Sequence, residues 1–265
     1  LPDETGCGRE PEGFSAPQLI YQLSARVAEA PCPDNPGADM SSEPSPTTQA
    51  ERVYGALLED LILTRIAPGA PLSEAELGQR FEAGRTPVRE ALKRLEGDQL
   101  VVTYPRRGTF ATRVDLDALE EVTEVRRVLE PLAAGRAAQR TDRDLLPAPE
   151  RLVLESLACE AEALEASDPK ELLRFDLRVH QAVYRAAGNH LLAGTLTNYG
   201  NLATRIWSST ISQLLEVRGH VREHAELLRC LLAGDEDQAE RLAAEHVDAF
   251  EEAMRAALTR PPRGR

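Results

Sequence analysis

Aromatic side chains make up only 4% of these 265 residues, which counts against a β-sandwich and favours helices packed with Leu and Ala. No stretch approaches the roughly 18 apolar residues that a membrane span needs, and no basic segment followed by an apolar core opens the sequence. The expectation is a protein of the cytosol, working without a membrane. Cysteine is sparse: Cys7, Cys32, Cys159 and Cys230 lie far apart with no Cys-x-x-Cys pair, so neither a disulfide framework nor a zinc ribbon is suggested. Positive charge is also short, with 31 Lys and Arg against 44 Asp and Glu for a net charge of −13, a balance that repels polyanions.

That deficit is uneven. Residues 47–114 hold ten basic and nine acidic side chains, and the rest of the chain holds 21 and 35. Between Arg85 and Arg113 the count is seven basic against three acidic, a local positive patch on an acidic chain. A nucleic-acid face and a merely solvated helix face both fit such a patch.

Residues 1–46 include "EAPCPDNPGADMSSEPSPTTQ", too rich in Pro, Ser and Asp to bury a core, and are expected to be a disordered extension. Leu19, Ile20, Leu23 and Val27 have helical spacing, but one short isolated helix is marginal in water. Met40 is a candidate physiological start, which N-terminal sequencing of the native protein tests.

From Gln49 the pattern is regular. Val53, Leu57, Leu58, Leu61 and Ile62 mark an amphipathic helix stopped by "APGAP". Ser73 and Glu76 have the spacing of a capping box and open a second helix. "RTPVREALKRLEG" makes a third, with Thr86 as expected cap, Pro87 in the first turn and Gly97 near the end. Two β-prone runs follow, Val101 to Tyr104 and Thr109 to Val114, joined by Pro105-Arg106-Arg107-Gly108. Three helices and a hairpin outline a winged helix-turn-helix over residues 47–114.

In such a motif the start of the second helix of the pair reaches base edges in the major groove. Arg85, Thr86 and Arg89 occupy that start, and Arg matches guanine O6 and N7 in bidentate fashion. Pro87 and Arg94 complete the candidates on this helix, while Val88, Ala91, Leu92 and Leu95 are expected to face the core. Arg106, Arg107 and Gly108 put two cations beside a residue that permits close backbone approach.

The stretch "LSEAELGQRFEAGRTPVREALKRLEGDQLVVTYPRRGTFAT" resembles the DNA-binding domain of GntR-family bacterial transcription regulators. The resemblance implies that Arg85, Thr86 and Arg89 contact double-stranded operator DNA and that the wing tip at Gly108 enters the minor groove. Two departures bear on the operator sequence: Gly84 stands at a common Ser position, and Ala75 where many members carry an operator-contacting Arg.

Residues 115–258 are helical throughout, as six expected helices: Leu116–Arg140, Pro149–Glu165, Pro169–Ala187, Leu191–Ile211, Val217–Ala233 and Glu236–Leu258. Residues 259–265 are expected to form a disordered tail. The fold class is therefore mainly α, an N-terminal winged helix-turn-helix followed by an all-α six-helix bundle. Asp176 and His180 are four apart and share a helix face, and His224 and His246 lie on two later helices. Three imidazoles and a carboxylate suit Zn²⁺, Mn²⁺, Ni²⁺ or Fe²⁺. Spacing alone leaves other readings open: scattered core histidines, or His220 paired with His224. His190 is expected to be exposed.

"EVRRVLEPLAAGRAA", "FDLRVHQAVYRAAGNHLL" and "EHAELLRCLLAGDEDQAERLAAEHV" resemble the FCD ligand-sensing domain of the FadR subfamily, with a helix count similar to its shorter, VanR-like branch. The resemblance implies a divalent metal on Asp176, His180, His224 and His246, and a small organic acid as effector, its carboxylate on the metal. Arg126 matches the recurring Arg of the domain's first helix and is the effector-binding candidate; a plain Arg126–Glu130 pair fits the spacing equally well. The function implied is a homodimeric, ligand-responsive regulator, a repressor by expectation and not an enzyme. Two rivals stand beside it. A metal hydrolase lacks a general base placed by the sequence, and a metal-independent dimerisation scaffold needs no occupied site.

Overall fold

The computed structural model describes residues 48–114, 118–163, 168–210 and 217–259. The expectations for residues 1–46, among them the helical stretch around Leu19, Met40, Cys7 and Cys32, lie outside the described residues, as does the tail from 260 and the side chain of His220.

Helix α1 (Gln49–Ile62) buries Val53, Leu57 and Leu61, one side chain per turn, and breaks at Thr64, whose backbone is left-handed at φ 50°. Helix α2 (Glu74–Arg80) starts as its capping box requires, the Ser73 hydroxyl accepting from the Glu76 N–H at 3.4 Å. Helix α3 (Arg85–Gly97) differs from expectation at its start: Gly84, extended at φ −67° and ψ 169°, is the N-cap, and Thr86 lies inside the first turn. A bare backbone cap leaves the first N–H groups open to solvent partners. Val88, Ala91, Leu92 and Leu95 all face the core, as expected.

The hairpin is β2 (Val101–Tyr104) and β3 (Gly108–Ala111), antiparallel, with Val101 opposite Ala111 and Tyr104 opposite Gly108. A two-residue strand, β1 (Pro71–Leu72), pairs with the other edge of β3, giving the order β1-β3-β2. Two residues carry no periodicity, and a Pro opening an edge strand is invisible to it.

The second unit is built from α4 (Ala118–Asp142), α5 (Ala148–Ala163), α6 (Pro169–Ala186), α7 (His190–Thr210), α8 (Val217–Ala233) and α9 (Glu236–Thr259). Each lies close to its expected span. Asp168 caps α6 by accepting from the Lys170 N–H at 2.9 Å, and Asn189 caps α7 through the N–H groups of Leu191 and Leu192. Along α4 the buried side chains shrink to a spine of Ala133, Ala134, Gly135, Ala137 and Ala138. A Cβ built on Gly135 falls 2.3 Å from the Glu240 carboxylate of α9, so any larger residue there has to push the Glu240 side chain aside.

Two cores result. Leu57, Leu61, Val88, Leu95 and Leu100 fill the winged unit, and Leu173, Phe175, Val179, Trp207, Leu228 and Met254 fill the bundle. The units meet: Leu63, just past α1, packs in the bundle core, Leu202 of α7 packs against both, and Arg174 of α6 pairs with Glu59 of α1 at 3.1 Å.

Candidate operator interface and metal centre

Arg85, Thr86 and Arg89 are exposed on the first turns of α3, with Pro87 half-buried among them. Arg89 is not idle there: its Nε donates to Glu74 Oε2 at 2.7 Å, across to the start of α2. An exposed pair of this kind adds little stability and only biases the guanidinium toward α2. Arg94 is placed apart from these three. It sits in the last turn of α3 with its guanidinium 3.9 Å from the centre of the Tyr54 ring, and Tyr54 Oη donates to Asp98 at 2.7 Å.

Arg106 and Arg107 stand exposed in the turn between β2 and β3, closed by the Arg107 N–H on the Tyr104 carbonyl at 3.1 Å. Arg106 is left-handed at φ 63° and Gly108 at 95°, and a Cβ at Gly108 would meet nothing within 4 Å. The wing tip is thus narrow and cationic, with clear space beside its backbone.

In the bundle, Asp176 and His180 of α6, His224 of α8 and His246 of α9 converge. All four are buried, and one donor atom from each lies within 4.8 Å of the others. His224 Nε2 is 3.5 Å and His180 Nε2 3.7 Å from Asp176 Oδ1. Ligands at roughly 2.1 Å from one ion stand about 3.0 Å apart at right angles, about 3.4 Å apart tetrahedrally and about 4.2 Å apart across it, so this spacing fits a single divalent cation after small side-chain adjustments.

Two histidines are braced from behind. His246 Nδ1 lies 3.0 Å from Glu223 Oε2, and His180 Nδ1 lies 3.2 Å from Tyr184 Oη and 3.6 Å from Glu130 Oε2. A carboxylate or phenol on one ring nitrogen sets the tautomer and turns the other toward a metal. The sequence pointed at neither Glu223 nor Tyr184; their only signals are adjacency to His224 and a four-residue step from His180. Burial pushes the Asp176 carboxyl up to about 8, with Arg126 drawing it down and Glu130 adding to the rise.

Arg126 lies against the same site. Its Nε donates to Glu130 Oε1 at 2.6 Å, and the same oxygen accepts from Tyr184 Oη at 2.7 Å. Arg126 forms the i, i+4 pair, and it also lines a cleft with Asp176, His180, Thr204, Trp207 and Phe250. Burial works against its charge, yet Glu130 beside it holds the guanidinium above its ordinary value. The cleft measures about 330 Å³ with its open mouth, but its enclosed part has room for about one water. His190 is exposed, away from the cluster. Among the described residues no helix is long and apolar enough to cross a membrane.

Comparison with known proteins agrees with both halves. Residues 49–111 match the family described as bacterial regulatory proteins, gntR family, and residues 121–249 match the FCD domain. The chain is 26% identical over 206 residues to the HTH-type transcriptional repressor RspR of Escherichia coli, covering 77% of this chain and 88% of that protein. It is 26% identical over 197 residues to the Nta operon transcriptional regulator of Aminobacter aminovorans, covering 72% and 90%. Among solved structures, E. coli McbR/YncC superposes with a TM-score of 0.65 at 21% identity, covering 80% of this chain and 99% of that one, a likeness of fold.

Proposed function

Because this chain belongs to the GntR family and joins its DNA-binding domain to an FCD domain, making it a transcription regulator and not an enzyme, we propose that it is a metal-assisted sensor of a small carboxylic acid that represses transcription by binding operator DNA as a homodimer. Residues 47–114 read the operator and residues 115–258 sense the effector.

At the operator, Arg85, Thr86 and Arg89 enter the major groove with Pro87 shaping the turn beneath them, Glu74 aims Arg89, and the tip at Arg106, Arg107 and Gly108 meets the backbone or minor groove. Arg94 supports this face from its stack on Tyr54. A two-fold dimer presents two such faces to a pseudo-palindrome. Val128 and Leu132, one turn apart on α4 and 67% and 46% exposed, supply apolar surface for a second copy.

In the sensor, Asp176, His180, His224 and His246 hold a divalent cation, either Zn²⁺, Mn²⁺, Ni²⁺ or Fe²⁺. When bound, that ion supplies open positions for a carboxylate oxygen. Arg126 offers the acid a second, fixed cation. To take it, the acid competes with Glu130 for the guanidinium, while Tyr184 keeps Glu130 hydrogen-bonded in its place. The effector acts only through unequal affinity for the operator-competent and incompetent arrangements, and about 1 to 3 kcal/mol of coupling changes operator affinity roughly 5- to 150-fold.

The observation that carries this reading is the buried cluster of three histidines and one aspartate beside a buried arginine. Metal analysis of the natively purified protein, followed by a thermal-shift screen of small organic acids with and without chelator, tests it. Stabilisation by an acid that disappears with chelator is expected, and a response indifferent to chelator refutes the metal's part.

A further inference from the structure

We infer that Arg205 of α7 is a positioning residue for operator binding, clamping the root of the wing to the helix that walls the effector cleft. The inference rests on the regulator reading above.

Helix α7 has two working faces. Gly200, Ala203, Thr204 and Trp207 line the cleft beside Asp176 and Arg126. Leu202, Arg205 and Ser208 turn instead to the winged unit: Leu202 packs on its core, and Ser208 Oγ lies 3.0 Å from Thr64 Oγ1. At about 100° per residue the two sets are centred about 150° apart, so one rigid helix touches the cleft on one side and the DNA-binding unit on the other.

Arg205 makes the firmest of these contacts. Its Nη1 donates to the Leu100 carbonyl at 3.4 Å and its Nη2 to the Thr112 carbonyl at 2.5 Å. Leu100 immediately precedes β2 and Thr112 immediately follows β3, and the Thr112 N–H itself closes on the Leu100 carbonyl at 3.0 Å. One guanidinium therefore grips both strands of the hairpin at the end opposite its tip. Four residues of strand carry the tip about 13 Å from that grip, so a tilt of roughly 10° at the root moves Arg106 and Arg107 by about 2 Å, enough to break a phosphate contact.

Stability does not explain the residue. Arg205 is 2% exposed, its Nε finds no acceptor among the described residues, and no carboxylate there pairs with it. Burial pushes its guanidinium down to about 10. An apolar side chain of the same length would fill the space without desolvating a charge. What Met cannot do is reach two carbonyls on two strands at once.

The test compares full-length wild type, Arg205→Lys and Arg205→Met by hydrogen exchange, first with chelator, then with zinc, then with zinc plus acetate against a chloride control. With chelator, Arg205→Met is expected to melt no lower than wild type yet to exchange about tenfold faster across residues 98–114, with Arg205→Lys intermediate. Equal exchange in all three proteins, or a melting loss that accounts for the faster exchange, overturns the inference. With zinc and acetate, wild type is expected to change protection both at the segments holding Asp176, His180, His224 and His246 and at residues 98–114, and Arg205→Met only at the former. A change at residues 98–114 that survives in Arg205→Met overturns the transmission through Arg205. Failure of zinc to protect the ligand segments in wild type counts instead against the metal reading, and the comparison under chelator still decides the clamp.

Discussion

Replacing Glu223 by Gln is the cleanest probe of the proposed metal centre, because it alters one atom on a side chain that is 47% exposed and so leaves folding nearly untouched. Glu223 Oε2 stands 3.0 Å from His246 Nδ1, and a charged acceptor there favours the tautomer that presents Nε2 as a lone pair. Supporting residues of this kind are worth about 10- to 100-fold in metal affinity, or roughly 1.4 to 2.7 kcal/mol. Glutamine still accepts a hydrogen bond but without charge, so Glu223→Gln should lose about tenfold and Glu223→Ala nearer 100-fold. Competition against a chromophoric zinc chelator reads the change directly. Glu226→Gln, exposed on the same helix, serves as the control for net charge. If Glu223→Gln binds zinc as tightly as wild type, or no more weakly than Glu226→Gln does, the bracing of His246 has been misread.

Replacing Arg89 by Ala should weaken operator binding by about 1 to 3 kcal/mol, with relaxed preference at one base pair; an unchanged gel shift on the selected operator contradicts base reading by this residue. His224→Ala should lose metal on dialysis while keeping its helical circular dichroism, and full retention of metal would shift suspicion to His220. The raised Asp176 carboxyl, at about 8, adds a pH signature. The free protein holds that proton below pH 8 and the metal-bound form does not, so zinc affinity should climb with pH up to about 8 and binding at pH 7 should expel a proton. Calorimetry in buffers of different ionisation enthalpy counts it, and a count of zero at pH 7 refutes the shift.

Most helices were legible through their punctuation or their period: Ser73, Asp168 and Asn189 cap as their types demand, Leu57 and Leu61 repeat at one turn, and only the start of α3 departs, with Gly84 as its cap instead of Thr86. The four metal-cluster residues were legible as a set through resemblance, and their convergence from three helices is a tertiary fact that spacing cannot supply. What escaped was whatever depends on partners far along the chain. Glu223 looks like any surface acid until His246 arrives from the next helix. Nothing local shows that Arg94 stacks on Tyr54, forty residues earlier in the chain. Arg205 sits in "LATRIWSST" beside Ile206 and Trp207, and an arginine among buried neighbours was the one local clue to the junction.

The alanine spine of α4 reaches further than its own packing. His246 rides on α9, whose Glu240 side chain, about two helix turns earlier, occupies the space that Gly135 leaves open on α4. Gly135→Ala must therefore displace Glu240 at the α4–α9 seam without replacing any of the four residues proposed to hold a metal.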